Sequence, residues 1–346
     1  MDVYKNKKVF LEILRVIAIF GVIFCHTGEY GVHHYLETDS PANYWLGIFL
    51  ASVSQFCVPL FLIISGALLL HREESIRYVY RHRVLKFALA TLVAILVQYV
   101  WSYYHDPKMG LEIKTFFRMV FEGHSFATYW FLYAYLSFLL FLPFLQRLVK
   151  SIPDKSWFLY LFAAWEVIHG IFPIIQYYMN WKESYLDLPV DDFIIYSMLG
   201  YFLEYCCDDI FDKKKNIFIV LGGTLLLALA NMYLNHVFLP DTTYVAFSGL
   251  FAMVYAFAVY VTVKYICHRW KMPPVLGKIF CFAGAGAFGT YLMEGILREI
   301  LFPVYLKFNM VIFSYPAVFL WITACAVTGI LITNLLKRIP VIGKIL

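Results

Sequence analysis

Leu14 to Gly28 reads LRVIAIFGVIFCHTG, an apolar run with an arginine near one end and a histidine near the other. Arg15 and His26 are eleven positions apart, close to three turns of an α-helix, so a helix through this run projects both from one face. They stand about 16 Å apart along the axis at 1.5 Å per residue. Glu12 shares the stripe, and Ile19 and Val22 fill it between them. If the helix enters a membrane near Lys8, Arg15 lies about 10 Å deep and His26 about 27 Å deep, near the far boundary of a hydrocarbon core about 30 Å thick. An ionisable residue inside a membrane faces the bundle interior and marks a function by default. Glu12 and Arg15 also fit a snorkelled ion pair, and His26 fits a hydrogen-bonded interfacial histidine. Together on one face they outline a polar route along the helix.

The rest of the chain supports the membrane reading. Of 346 residues, 62% are hydrophobic, 20% aromatic and only 15% charged, with a mean hydropathy of +0.71. A soluble domain is about half apolar and a quarter charged. Ten apolar runs read as membrane helices: 9–27, 44–70, 84–104, 126–145, 157–175, 190–205, 216–236, 243–265, 279–302 and 311–336. The fifth carries Glu166, His169 and Pro173, and the sixth is short. The expected fold is therefore an all-α polytopic bundle of about ten transmembrane helices, forming a single membrane-embedded domain over 1–346. The first run is long and has no small-residue cleavage site, so it reads as a span rather than a cleaved signal.

Placing the N-terminus inside puts about 21 Lys and Arg in the cytoplasmic segments and about six outside, the asymmetry of the positive-inside rule. Both termini are then expected to be cytoplasmic, and a multi-pass protein of the plasma membrane follows. The seven cysteines show no metal-ligand spacing and read as small apolar packing residues, so no metal is expected. Nothing points to nucleic acid. The predicted outer loops combine carboxylates with aromatics: Glu29, Glu37 and Asp39 in the loop after the first run, and Trp181, Tyr185, Asp187, Asp191 and Asp192 before the sixth. That pairing suits sugar rings and also suits an interfacial aromatic belt.

Further polar residues recur near the predicted membrane boundaries. PLFLIISG, Pro59 to Gly66, puts Ser65 late in the second run beside a glycine that permits close helix approach. YVYRHRVLK gathers Arg81, Arg83 and Lys86 at the start of the third, a basic group suited to phosphates or to positive-inside charge. Glu294 lies within the ninth, either functional or a counter-ion for a neighbouring helix.

These elements, in this order, resemble the acyltransferase 3 family of membrane acyltransferases, and most of all the branch that O-acetylates surface polysaccharides and lipid-linked glycans. The family's arginine, ten residues and histidine in its first helix are matched by Arg15 and His26. PLFLIISG is similar to its second-helix element, and the pair Arg83 and Lys86 to a basic pair three apart in its third. YWFLYAYLSFLLFLP, with Trp130, Phe131 and Pro143, and YSMLGYFL, Tyr196 to Leu203, are similar to further family elements. Two departures stand out. The late family histidine falls at Glu294 in GAFGTYLME, where Tyr291 is kept, and Lys86 stands where arginine is usual.

The resemblance implies an acyl-CoA donor, acetyl-CoA first, on the cytoplasmic side and a glycan or lipid-linked saccharide hydroxyl as acceptor. It implies His26, Arg15 and Glu294 as catalytic residues. Arg81, Arg83, Lys86 and Ser65 would meet the donor, and Trp130 and Tyr291 the substrate. Membrane lipids are the other implied partners; oligomeric state is not readable. A secondary transporter of a small polar solute is the alternative, with Arg15, His26, Glu166 and Glu294 as coupling groups. No inverted repeat of the kind common in transporters is visible.

Overall fold

The computed structural model describes residues 9–106, 112–122, 127–181, 188, 190–207, 211–238, 250–310 and 315–346, and within these residues each of the ten apolar runs contributes a helix. The helices are α1 (Val9–Cys25), α2 (Pro41–Leu69), α3 (Ile76–His105), α4 (Ile113–Glu122), α5 (Trp130–Ser151) and α6 (Lys155–Tyr178), then α7 (Asp192–Tyr205), α8 (Lys214–Phe238), α9 (Ala252–Arg269), α10 (Pro274–Asn309), α11 (Tyr315–Leu336) and α12 (Pro340–Ile345). Seven of these are long and apolar enough to cross a membrane: α2, α3, α5, α6, α8, α10 and α11. Helices α1 and α7 are shorter, at 17 and 14 residues, and α9 carries Lys264 and Arg269. The chain is an all-α polytopic membrane protein.

Two helices were not expected. The short α12 follows the last span. Helix α4 falls in a stretch read as a loop, and is amphipathic: Ile113, Phe117 and Phe121, each four residues apart, are exposed along one edge, while Met119 is buried. Tyr133 of α5 holds it by donating to the Val120 carbonyl at 2.6 Å. An exposed apolar row on a helix too short to span is the pattern of a helix lying in a membrane interface.

Three spans are locally irregular. Helix α2 tightens into a 3₁₀ turn at Ser54–Phe56, just before Pro59. Helix α3 widens into a π turn at Tyr80–Val84, and α6 does so at Glu166–Ile171, just before Pro173. Proline lacks the N–H that would continue the ladder and crowds the preceding turn, so the backbone ahead of it departs from α geometry.

The chain packs as two compact units, one from 1–72 with 145–284 and one from 73–144 with 285–346. In the first, α2 and α7 cross with their backbones touching. A Cβ on Gly66 would fall inside the Ser197 carbonyl, and one on Gly200 inside the Ile63 carbonyl. The close approach read from Gly66 is thus realised, with a glycine answering it on the partner helix. Helix α1 leans on α2 where Gly21 faces Cys57, whose Cβ would lie 2.8 Å from an added methyl. It leans on α9 through Phe10, edge-on to Tyr260 at 5.8 Å. In the second unit α10 and α11 meet through small residues: Gly286 faces Ile330, Gly289 faces Thr333 and Gly329 faces Thr290. With no hydrophobic drive between helices in lipid, such close van der Waals contact holds them together.

Gly66→Ala and Gly200→Ala are expected each to destabilise the first unit by about 1–3 kcal/mol or more, because backbone rather than a side-chain tip must move. Gly222→Ala in α8 meets nothing within 4 Å and is expected to be neutral or to gain up to about 1 kcal/mol. Thermal unfolding of the three purified variants checks the contrast.

Candidate active site

The polar stripe of α1 begins with an ion pair. Arg15 Nη1 donates to Glu12 Oε1 at 2.8 Å, with Glu12 nearly buried and Arg15 part-exposed. Glu12 is fixed from behind by Gly284 of α10, where any Cβ would overlap the carboxylate. Among the described residues Arg15 takes no other partner, so its remaining guanidinium N–H groups stay available to an anion. Ile19 and Val22, between Arg15 and His26, are buried.

His26 follows the last helical residue, and its N–H reaches the Val22 and Ile23 carbonyls at 3.1 and 3.2 Å, so it continues the helical path. The backbone beyond it is clasped by Thr27, a buried residue. Thr27 Oγ1 donates to the Phe24 carbonyl at 2.6 Å and accepts from the Val32 N–H at 2.9 Å. Gly28 then turns at φ +57, a left-handed conformation that glycine adopts without steric cost. Beside His26, Cys25 Sγ lies 3.5 Å from Ser54 Oγ and 3.8 Å from Cys57 Sγ, at the 3₁₀ turn of α2. The end of α1 is therefore tied on two sides. Neither Thr27 nor Ser54 stood out in the sequence, although a Thr–Gly pair closing an apolar run is the signal for a built helix end.

Ser65, expected to meet the donor, gives its hydroxyl to the Phe61 carbonyl of its own helix at 2.8 Å. At the other end of α1, Lys264 of α9 and Glu204 of α7 form a buried pair at 3.0 Å, completed by Tyr260 at 3.0 Å and the Leu203 carbonyl at 3.1 Å. Phe10 lies over Lys264 at 6.0 Å. This network, absent from the sequence reading, anchors the helix that carries Arg15.

The predicted outer loop after α1 packs onto an aromatic group at the start of α2. Tyr35 is edge-on to Tyr44, whose hydroxyl is 2.7 Å from His236 Nδ1 of α8, and Trp45 lies 4.6 Å from the same imidazole. Burial, and then the neighbouring Tyr44, push the Tyr35 hydroxyl up to about 12. Burial lowers the His33 imidazole below its usual value, opposed in part by Glu29. In the loop before α7, Trp181, Asp191 and Asp192 are described; Tyr185 and Asp187 lie outside the described residues.

The second unit holds the remaining candidates. Arg83 sits in the π turn of α3 and is gripped by Glu74 through two hydrogen bonds, at 2.7 and 2.5 Å. Arg81 and Lys86 are exposed and take no partner among the described residues. Of the expected basic trio, then, two are open and one is engaged. Glu294 is 1% exposed and accepts from Arg298 Nε, one turn on, at 2.6 Å. Arg298 thus gives Glu294 an ion partner within its own helix. Cys325 of α11 lies within electrostatic reach of both. Tyr291 donates to the Thr128 carbonyl and packs edge-on against Phe131 at 5.8 Å. Trp130, expected to touch substrate, is 48% exposed; its neighbour Phe131 is the residue that meets Tyr291. No cluster of three or more metal-ligating side chains occurs among the described residues.

Residues 8–335 match the family profile described as an acyltransferase domain, Acyl_transf_3. The chain belongs to the acyltransferase 3 family. That membership spans both compact units and makes the chain a membrane acyltransferase. No curated protein and no solved structure matches it. In this acyltransferase the first-helix arginine and histidine lie in one unit, and the basic turn and Glu294 in the other.

Two outcomes follow. Arg298→Ala removes the ion partner that Glu294 has one turn on, with an expected cost of about 3–5 kcal/mol, whereas the Glu294→Gln/Arg298→Ala pair costs less; a double-mutant cycle on thermal stability measures the difference. His33 binds protons less readily folded than unfolded, so the loop after α1 loses stability as pH falls below about 6.5. Amide exchange across 28–36, corrected for intrinsic rate, is expected to rise on acidification and to flatten in His33→Gln.

Proposed function

We propose that this acyltransferase moves an acyl group, acetyl first, from cytoplasmic acyl-CoA to a hydroxyl of a cell-surface or lipid-linked glycan at the plasma membrane. The observation that carries the reading is the built end of α1: a histidine held by Thr27 and by the Cys25–Ser54 contact, on the same helix as an arginine with open N–H groups. An imidazole suits a general base near neutral pH. His26 takes the proton of the acceptor hydroxyl, the oxygen attacks the thioester carbonyl, and the C–S bond breaks to release the CoA thiolate, which is protonated on leaving. A transient acyl-imidazole on His26 would divide the same transfer into two steps. Arg15 stabilises negative charge on the donor or on the carbonyl oxygen as it develops.

Arg81 and Lys86 fit the phosphates of the donor, with Arg83 oriented by Glu74. The aromatic pair Tyr44 and Trp45, backed by the buried Tyr35, offers flat faces to a sugar. Glu294, buried and paired with Arg298, is kept as a catalytic candidate of this reading.

The test is turnover of radiolabelled acetyl-CoA by purified protein in nanodiscs, with label followed into protein, water and added glycan. His26→Ala is expected to lose about 10²-fold or more of turnover. Arg15→Ala would also strand Glu12, so the Glu12→Gln/Arg15→Gln pair is the cleaner comparison; it should fold and transfer poorly. A wild-type protein that neither binds nor turns over acyl-CoA would overturn the donor assignment. Turnover indifferent to His26→Ala would overturn the role of α1.

A further inference from the structure

Glu166 is a buried acid that the proposed transfer does not use. It stands eleven residues from Lys155 and twelve from Tyr178, at the middle of α6, and opens the π turn of that helix. Both carboxylate oxygens are buried and take no hydrogen bond. Among the described residues no lysine, arginine or histidine forms an ion pair with it, in contrast to Glu12, Glu204 and Glu294. Its surroundings are apolar, hydroxylic or acidic. Gly170 leaves room for the carboxyl: a Cβ there would come within 2.8 Å of Glu166 Oε2 and 3.1 Å of the Phe251 ring. From α7, Tyr196 lies within electrostatic reach of Glu166 and of Asp191 and Asp192 at the start of that helix. On its own helix the titratable neighbour is His169, in the same π turn, its ring stacked on Trp165 at 3.8 Å.

A carboxylate without counter-ion or donor is far costlier to bury than its neutral acid, so the group takes up a proton instead. Extra backbone width at a π turn lets a side chain and its proton occupy space that an α-helix fills, and such turns concentrate at functional sites. We propose that Glu166 is a proton-binding site at the middle of the membrane, occupied as a neutral carboxylic acid at neutral pH. The site is independent of acyl transfer and needs no acyl donor to be observed.

Two readouts on the full chain in nanodiscs, neither requiring acyl transfer, test it. A hydrophobic carbodiimide adds to a protonated carboxyl, its acid O–H adding across one C=N bond. At pH 7 an adduct is expected on Glu166 and is expected to be lost in Glu166→Gln. Infrared difference spectra of wild type against Glu166→Gln are expected to show the C=O band of a protonated carboxyl, downshifted in heavy water. Absence of that band at pH 7 overturns the proposal, whatever the reagent reaches.

Discussion

The contact on which the first unit depends is the crossing of α2 and α7, where Gly66 meets the Ser197 carbonyl and Gly200 meets the Ile63 carbonyl. Two glycines, one on each helix, remove both side chains from the point of closest approach. In lipid this matters more than in water, because packing and not solvent exclusion holds helices together. Once α7 is fixed to α2, Glu204 near its end reaches Lys264 and Tyr260 of α9, and Phe10 of α1 closes over the same group. The position of α1 is therefore inherited from that crossing, directly through α2 and again through α9.

That inheritance explains why His26 is placed by contacts that look incidental. Its helix is held at one end by the Phe10 packing and at the other by Thr27, Gly28 and the Cys25–Ser54 contact. A side chain asked to accept a proton must hold its angle to within a small tolerance, and a histidine at a frayed helix end would not. The 3₁₀ turn in α2 contributes as well, because it brings Ser54 and Cys57 to the same side of α1.

The helices and the Arg15–His26 stripe were legible because both rest on local rules: run length for spans, and the 3.6-residue period for a face. The glycine at 66 could be read as a point of close approach, but its partner at 200 could not, since pairing of distant glycines is set only when the helices pack. Helix α4 escaped notice because ten residues with an exposed Ile113, Phe117 and Phe121 edge are too short and too polar for a span. Trp130 is exposed while Phe131 meets Tyr291, a distinction that the sequence does not carry. In an element apolar on every side, lipid and protein interior are nearly the same solvent, so sequence does not say which aromatic turns inward. Glu74 lies nine residues from Arg83, across a turn, outside any helical spacing rule.

The pairing of charges then limits what an anionic substrate can use. Glu12 engages one nitrogen of Arg15, Glu204 engages Lys264, and Glu294 engages Arg298, so each of these carboxylates is balanced from its own or an adjacent helix. A cation already neutralised in this way attracts a polyanion weakly, because the added phosphate meets the dipole of a pair and not a net charge. Under the proposed transfer, Arg81 and Lys86, exposed and without partners among the described residues, suit the phosphates of the donor, while the open N–H groups of Arg15, whose charge is balanced, suit short, directional hydrogen bonds to an oxygen that gains charge only as the reaction proceeds.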